Sequence, residues 1–208
     1  MAKGFFVTGT DTDIGKTYVS VRLIHRWREA GLRVVAMKPV ASGCQVLPDG
    51  HWLNDDVERL VAATGQADRA LMNPYRFLPP ISPHIAAREA GVTISLPLLC
   101  QHYQRLAEGN DIVLVEGAGG WLTPLTDQLS IQDLALALDL PIILVVGMRL
   151  GCLNHALLTV HAIRSAGLSL AGWVANCVVP SQPAYHANLA TLVAHIPAPL
   201  LLELPFHG

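Results

Sequence analysis

The stretch GTDTDIGKT, residues 9–17, constrains the fold of this 208-residue chain more than any other segment. An apolar run, Phe5 to Val7, precedes it, and a helical pattern of apolar residues follows it. A strand, a glycine-bounded turn and a Gly-Lys-Thr that opens a helix are typical of a phosphate-binding loop. Backbone N–H groups and the positive end of the helix dipole face a polyphosphate in such a loop. We call residues 9–17 the phosphate loop.

Three residues of the phosphate loop have the chemistry that a nucleotide requires. Gly15 allows the backbone to approach a ligand closely, and Lys16 places a positive charge near the β- and γ-phosphates. The Thr17 hydroxyl is a ligand for Mg²⁺ in loops of this type. The sequence therefore predicts a nucleotide site at the start of the first long helix.

The phosphate loop departs from the strict motif in its spacing. Five residues separate Gly9 from Gly15 instead of four, and Thr10 stands where a glycine is expected. Asp11 and Asp13 add negative charge where phosphate would bind. The alternative interpretation is an acidic turn before an ordinary helix. The strand before the loop and the Gly-Lys-Thr at the helix start favour the nucleotide site.

Charge and composition indicate small-molecule partners. The formal net charge of −2 gives no attractive field for nucleic acid or for an anionic membrane, so we expect neither as a partner. The richest apolar region, residues 134–148, is interrupted by Asp139 and Pro141, and the apolar run at the amino terminus is too short for a signal peptide. The four cysteines lack metal-ligand spacing. We therefore expect a cytoplasmic protein with reduced thiols.

Strand-like and helix-like patterns alternate along the chain, which predicts a single α/β domain over residues 1–208. We expect a mostly parallel sheet with helices on both faces, like that of P-loop nucleoside triphosphate hydrolases. The predicted strands are 4–8, 34–38, 112–116, 142–147 and 171–176, with a weaker one at 199–202. The predicted helices are 15–30, 55–64, 83–90, 95–108, 131–138, 153–166 and 184–195.

Ligands of such sheets bind at the carboxyl ends of the strands, which directs attention to Lys38 and Glu116. Lys38 lies beside the phosphate loop if the first two strands are neighbours, and it would suit a transition state that spreads charge over phosphoryl oxygens. A solvated edge lysine is the alternative. Glu116 resembles the acidic strand end that binds Mg²⁺ in phosphate-loop enzymes. A tight turn with a capping glutamate is its alternative.

Other candidates at strand ends have weaker signals. Asp55 and Asp56 are either a favourable charge pair at a helix start or a source of a Mg²⁺ ligand. Residues 150–154 are either a plain strand-to-helix turn or an anion site suited to a carboxylate. Asn176 and Pro205 lie where an amide and backbone groups could read the edge of a base.

Taken together, these residues resemble the dethiobiotin synthetase family. The matching stretches occur in one order between residues 6 and 176: FVTGTDTDIGKT, KPVASG, NPYRF, SPHIAAREAG, VLVEGAGGWLTPL, LPIILVVGMRLGCLNHALLT and LAGWVAN. The five-residue glycine spacing is the form that this family uses. The resemblance implies an ATP-dependent cyclo-ligase of biotin biosynthesis that uses Mg²⁺. It would convert 7,8-diaminononanoate and bicarbonate-derived CO₂ into dethiobiotin through a carbamate and its phosphoric anhydride.

The resemblance also implies roles for individual residues. Lys16 and Lys38 would be catalytic, and Thr17, Asp56 and Glu116 would hold Mg²⁺. The nucleotide site would comprise Asp13, Ile14, Gly15, Lys16, Thr17, Tyr18, Asp56, Glu116, Gly117, Ala118, Gly119, Asn176, Cys177, Pro205, Phe206 and His207. The substrate site would comprise Thr12, Ser42, Gly151, Cys152, Leu153 and Asn154. The resemblance implies a homodimer in which the last four of these come from the partner subunit.

The chain departs from the family pattern in three places. The acidic loop is slightly altered, so the assignment of Asp56 rather than Asp55 as the metal ligand rests on matching Asn54, Asp55 and Asp56 to the family's N-x-D pattern. Cys177 follows Asn176 where aspartate is common, and the sequence stops at Gly208, where relatives usually add a final helix. We therefore expect weaker discrimination among nucleoside triphosphates.

Two other functions use the same fold. An amidoligase would need an amide donor, usually an attached glutaminase domain, for which 208 residues leave no room. A nucleotide-switch protein of the partitioning-ATPase type would hydrolyse ATP slowly under stimulation by a protein or DNA. The net charge and the matches at Ser82-Pro-His and Gly-Cys-Leu-Asn disfavour the switch.

Overall fold

The computed structural model describes residues 2–207, so Met1 and Gly208, the ends of the predicted domain, lie outside the described residues. The strands are β1 (Lys3–Gly9), β2 (Val34–Met37), β3 (Val40–Ala41), β4 (Gln45–Val46), β5 (Trp52–Leu53), β6 (Tyr75–Arg76), β7 (Ile112–Glu116), β8 (Ile142–Met148), β9 (Leu170–Cys177) and β10 (Leu200–Leu204). The helices are α1 (Lys16–Glu29), α2 (Asp55–Thr64), α3 (Arg69–Met72), α4 (Pro83–Glu89), α5 (Leu96–Ala107), α6 (Ile131–Leu138), α7 (Cys152–Ser165) and α8 (Tyr185–His195).

Six strands form one parallel sheet in the order β10-β9-β8-β1-β7-β2. Every residue of β7 and of β8 is buried, as expected for strands covered on both faces. Their continuous apolar runs, rather than an alternating pattern, follow from that environment. The prediction of an α/β fold with a mostly parallel sheet and helices on both faces is confirmed.

Side chains of β7 alternate between two parts of the core, one on each face of the sheet. Val113 and Val115 pack in a cluster with residues of α4, α5 and α6. Ile112 and Leu114 pack in another cluster with residues of α1 and α2. A third cluster joins β8 and β9 to α7 and α8. Helix α1, which follows the phosphate loop, and helix α2, which contains Asp55 and Asp56, therefore cover the same face of the sheet.

All six predicted strands and all seven predicted helices are present, with ends that differ by two residues at most. The sequence did not reveal α3 or the two-residue strands β3, β4, β5 and β6, because such short elements are too small to show a hydrophobic period. Within residues 2–207, the helices lack the combination of length and apolar character that crossing a membrane requires.

The expectation that the first two strands are neighbours is wrong. β7 lies between β1 and β2 and pairs with both, while β1 has β8 on its other side. The five-residue strand β7 is buried throughout, which an interior position allows, whereas the four-residue β2 takes the edge. Glu116, at the end of β7, therefore lies between the phosphate loop and Lys38.

Candidate active site

The phosphate loop is held against the end of β9 by one buried amide. Gly15 caps α1 in the left-handed conformation, with φ of 81°. The side-chain amide of Asn176 donates to the Ile14 carbonyl at 2.8 Å. A Cβ atom on Gly15 would lie 2.3 Å from that amide nitrogen, so both the backbone conformation and the contact require glycine.

Lys16 extends from the first turn of α1 into a largely buried position. Its Nζ donates to the Asp11 carbonyl at 3.0 Å. Burial and the positive charge of Lys38 together lower the pKa of Lys16 to about 8, against the opposing effect of the nearby carboxylates. Because it is largely buried, this ammonium gains more from contact with a polyphosphate than an exposed lysine would.

The Lys38 ammonium donates most of the hydrogen bonds in a buried polar network. Its Nζ donates to Glu116 Oε1 at 2.5 Å, to Asp56 Oδ2 at 3.1 Å and, more distantly, to the Gly117 carbonyl at 3.4 Å. The Thr17 hydroxyl donates to the same Glu116 oxygen at 2.7 Å. Side chains from α1, α2, the end of β7 and the position just after β2 therefore meet at one point, although they are up to 99 positions apart in the chain.

Charge pairing dominates the electrostatics of this network. Burial pushes the pKa of Lys38 down, but the carboxylates of Glu116 and Asp56 outweigh burial and leave that pKa above its ordinary value. Burial raises the pKa of Asp56, and the positive charge of Lys38 outweighs it, so the pKa of Asp56 is lowered. Both groups are charged at neutral pH.

Local structure explains how Lys38 and Asp56 reach the network. The N–H of Lys38 donates to the Met72 carbonyl at 3.0 Å, and the buried amide of Asn73 donates to the Lys38 carbonyl at 2.5 Å. Asn54 caps α2 by accepting from the Val57 N–H at 3.3 Å, which fixes the first turn of α2. In that turn Asp56 lines the main cavity, whereas Asp55 is exposed.

The main cavity has a volume of about 810 Å³, a size suited to a nucleotide phosphate chain with a small substrate. Many of the residues singled out from the sequence line it: Thr12, Asp13, Gly15, Lys16, Thr17, Tyr18, Lys38, Ser42, Asp56, Ala118 and Gly119. Ile14, Glu116 and Gly117 lie close behind its wall, since each is bonded or adjacent to a lining residue. The Ser42 hydroxyl is buried and has no hydrogen-bond partner among residues 2–207.

The oxygen atoms of the network fit a hard divalent cation. Mg²⁺ favours one or two carboxylates together with hydroxyl, water and phosphate oxygens. Thr17, Asp56 and Glu116 supply such a set. Glu116 is fully buried, and its Oε2 has no hydrogen-bond partner within the described part of the chain. An unpaired buried carboxylate oxygen is costly unless a ligand or water satisfies it.

A second cavity of about 430 Å³ lies at the ends of β9 and β10. Cys177, Pro205 and Phe206 line it together with Pro180, Gln182, Tyr185 and Glu203. His207 lies nearby against α1, where its ring packs edge-on to Tyr18 with ring centroids 4.7 Å apart. Asn176 lines neither cavity, because its amide is turned to the phosphate loop.

The residues predicted to bind a substrate carboxylate lie apart from the rest. Gly151, Cys152, Leu153 and Asn154 line neither of the two cavities. They form the start of α7, where Gly151 is the left-handed cap and the preceding Leu150 is 96% exposed. Within one chain, therefore, the structure does not bring these four residues together with Lys38.

Several residues at the site were not predicted from the sequence. Arg59 lines the main cavity one helical turn after Asp56, a position that the helical period of α2 could have indicated. Asn73 belongs to the quoted NPYRF stretch, but nothing in its spacing indicated a contact with Lys38. Arg149 forms an ion pair with Asp11 at 2.5 Å and so links the phosphate loop to the segment before α7.

A matched pair of glycine substitutions tests the role of the loop. Gly15 and Gly31 both have positive φ, but a Cβ atom on Gly31 would meet open space. We expect Gly15→Ala to weaken MgATP binding by about tenfold, roughly the free energy of one good hydrogen bond, because the Asn176 amide must move. Gly31→Ala should leave the affinity unchanged. Titration calorimetry with MgATP checks this, and an unaltered affinity in Gly15→Ala would contradict the assigned geometry.

Comparison with known proteins supports a nucleotide-binding fold for this chain. The family model described as an AAA domain matches residues 3–208. Among solved structures, the chain is similar to chloroplast FtsY from Physcomitrella patens, with a TM-score of 0.59 and 18% identity over 100% of this chain and 60% of that one. It is also similar to the MinC:MinD complex of Aquifex aeolicus, with a TM-score of 0.61 and 12% identity over 99% and 82%. Both similarities concern the fold, which is of the predicted P-loop type.

Curated relatives are much closer in sequence. The ATP-dependent dethiobiotin synthetase of Nitrosospira multiformis is 50% identical over 99% of this chain and 89% of its own length. The enzyme of that name from Pseudomonas aeruginosa is 51% identical over 97% and 89%, and one from Escherichia coli K12 is 46% identical over 99% and 92%. The chain belongs to the dethiobiotin synthetase family.

Proposed function

We propose that this chain, with residues 1–208 as one catalytic unit, converts 7,8-diaminononanoate, CO₂ and ATP into dethiobiotin, ADP and phosphate in biotin biosynthesis. Family membership makes it an ATP-dependent ligase that acts on small molecules. The observation that carries the proposal is the convergence of Lys16, Lys38 and Glu116 at one cavity. Such an arrangement can surround a transferring phosphoryl group with positive charge.

The reaction needs an activated carbonyl, and ATP supplies the activation. One amine of the substrate attacks CO₂ and loses a proton to give a carbamate. A carbamate oxygen then attacks the γ-phosphorus, and the bond to ADP breaks. The second amine attacks the carbonyl carbon of the resulting carbamic-phosphoric anhydride and loses a proton, phosphate leaves with the electron pair of the broken C–O bond, and the ring closes as a cyclic urea.

Lys16 and Lys38 would stabilise negative charge at different stages of the reaction. Lys16, at the start of α1, binds the terminal phosphates of ATP in both the ground state and the transition state. Lys38, deeper in the cavity, neutralises the carbamate and the phosphoryl group as negative charge moves between them. Removal of Lys16 should therefore affect binding, and removal of Lys38 should affect the chemical step.

Thr17, Asp56 and Glu116 would hold Mg²⁺. When bound, the ion would neutralise charge on the β- and γ-phosphates. The orphaned Oε2 of Glu116 and the hydroxyl of Thr17 support this assignment, since both are oxygen atoms next to the phosphate loop. Asp56 is the supported carboxylate of the acidic pair because it faces the cavity.

The diamine would be held by residues of two subunits. Thr12 and the unpaired hydroxyl of Ser42 lie in the main cavity, where they can contact the amine or carbamate end. The start of α7 from a second copy would supply backbone amides to the distant carboxylate. The separation of residues 151–154 from the cavity, and the exposure of Leu150 (96%) and Leu158 (59%), support a homodimer.

The second cavity would accept the adenine base. Cys177, Pro205 and Phe206 form part of its lining, and His207 packs on Tyr18 beside the phosphate loop. Asn176 would contribute by holding the loop rather than by facing this cavity. Weaker discrimination among nucleoside triphosphates stays a prediction at Cys177.

Phosphate release from MgATP tests the overall function. We expect rapid release only when diaminononanoate and bicarbonate are both present, because the γ-phosphoryl group needs the carbamate as its acceptor. Omission of either should reduce the rate to a slow background, and mass spectrometry should detect the cyclic urea. Release that is indifferent to the diamine would contradict the proposal and favour a nucleotide-switch protein.

A pair of lysine substitutions tests the division of roles. We expect Lys38→Ala to lower kcat by about 10²–10³-fold with no loss of MgATP affinity, because its contact with the phosphoryl group forms mainly in the transition state. Lys16→Ala should weaken MgATP binding as well. Steady-state kinetics and equilibrium binding measure the two effects separately. Equal losses of affinity and turnover in Lys38→Ala would contradict its role.

A further inference from the structure

An ammonium group occupies the centre of the proposed metal-binding oxygens. Lys38 Nζ lies 2.5 Å from Glu116 Oε1 and 3.1 Å from Asp56 Oδ2. The Thr17 hydroxyl is turned to the same Glu116 oxygen, at 2.7 Å. A single cation therefore gathers the two carboxylates and, through Glu116, the hydroxyl.

The oxygen atoms of this group are not all satisfied. Lys38 bonds both carboxylates directly, whereas Lys16 acts on them electrostatically from a longer distance. The N–H groups of Lys38 go to Glu116 Oε1, Asp56 Oδ2 and the Gly117 carbonyl. Glu116 Oε2 is buried and has no hydrogen-bond partner in residues 2–207. A divalent cation takes more oxygen ligands than an ammonium, so it can also bind the oxygen atom that Lys38 leaves unpaired.

The other lysine of the cavity is differently placed. Lys16 Nζ donates to the backbone carbonyl of Asp11, at 3.0 Å, and to no carboxylate among the described residues. Both lysines carry the same charge near the same cavity, but only Lys38 makes direct bonds to the metal-binding oxygens. Removal of Lys16 would therefore relieve only electrostatic repulsion of a metal ion, whereas removal of Lys38 would also free the oxygen atoms that the metal ion needs.

We propose that Lys38 is also a positioning residue, which holds the metal-binding oxygens together until a divalent cation displaces it from Glu116 and Asp56. The inference rests on the proposed function, because it takes these two residues as metal ligands. The displaced ammonium can still donate a hydrogen bond to the Gly117 carbonyl, which is 3.4 Å from Nζ. Arrival of the metal thus releases Lys38 for contact with an anionic substrate.

Binding of Mn²⁺ without nucleotide tests this exchange. Electron paramagnetic resonance of free Mn²⁺ gives the affinity of the wild-type protein and of Lys38→Met, which keeps a long apolar stem. We expect the variant to bind Mn²⁺ at least about tenfold more tightly, because a competitor that fills the site most of the time lowers the apparent affinity by that fraction. An equal or weaker affinity, or no binding by the variant, would overturn the inference.

Lys16→Met is the matched control. It removes the same charge from the same cavity without freeing a carboxylate. We expect Mn²⁺ affinity to change much less in this variant than in Lys38→Met. Equal gains in the two variants would mean that only general repulsion was relieved, and would overturn the exchange.

A second measurement uses the wild-type protein and so does not depend on folding of a variant. Trace acylation followed by mass spectrometry reports how reactive the Lys38 amine is. We expect Mg²⁺ to raise its reactivity several-fold, with Lys3 as an exposed internal standard, because the displaced amine leaves its carboxylate partners. Unchanged reactivity at saturating Mg²⁺ would overturn the inference.

Failure of this inference differs from failure of the proposed function. Unchanged Mn²⁺ affinity in Lys38→Met, together with diamine-dependent phosphate release by the wild type, overturns only the exchange. Diamine-independent phosphate release overturns the proposed function itself, and with it the premise of the exchange.

Discussion

The buried carboxylate of Glu116 is the constraint on which the rest of the site depends. It ends β7 with no exposed surface, and an isolated carboxylate in such a place would be very costly. The carboxylate therefore requires hydrogen-bond and charge partners, and the order of the strands places them beside it. With β7 between β1 and β2, Thr17 approaches from one side and Lys38 from the other. Removal of Lys38 would leave the buried Glu116 carboxylate without the cation that contacts it directly.

The same constraint explains which parts of the structure the sequence could predict. Apolar runs and the phosphate loop identified every long strand and helix, because those signals are local. The order of the strands was not local, and the assumption that β1 and β2 are neighbours was wrong. Lys38 and Glu116 were still recognised as strand-end residues, since parallel strands bring their carboxyl ends to one edge whatever their order.

Side-chain partners were harder to foresee than side-chain positions. The bond from the Asn176 amide to the Ile14 carbonyl, which fixes the phosphate loop, was not foreseen, and contact of Asn176 with a base stays a prediction. Asn73 and α3 position the backbone of Lys38, and no period or charge pattern pointed to them. Residues 151–154 were recognised at a strand end but lie apart from the main cavity, and for this reason we propose that a second subunit completes the substrate site.

A structure of the protein with MgADP, aluminium fluoride, the diamine and bicarbonate tests the central claim most directly. The fluoroaluminate group takes the place of the phosphoryl group in transfer. We predict that the Nζ atoms of Lys16 and Lys38 both lie within about 3 Å of it, at hydrogen-bond distance, and that Glu116 faces the metal. Lysine side chains directed into different cavities, or a fluoroaluminate bound away from Lys38, would contradict it.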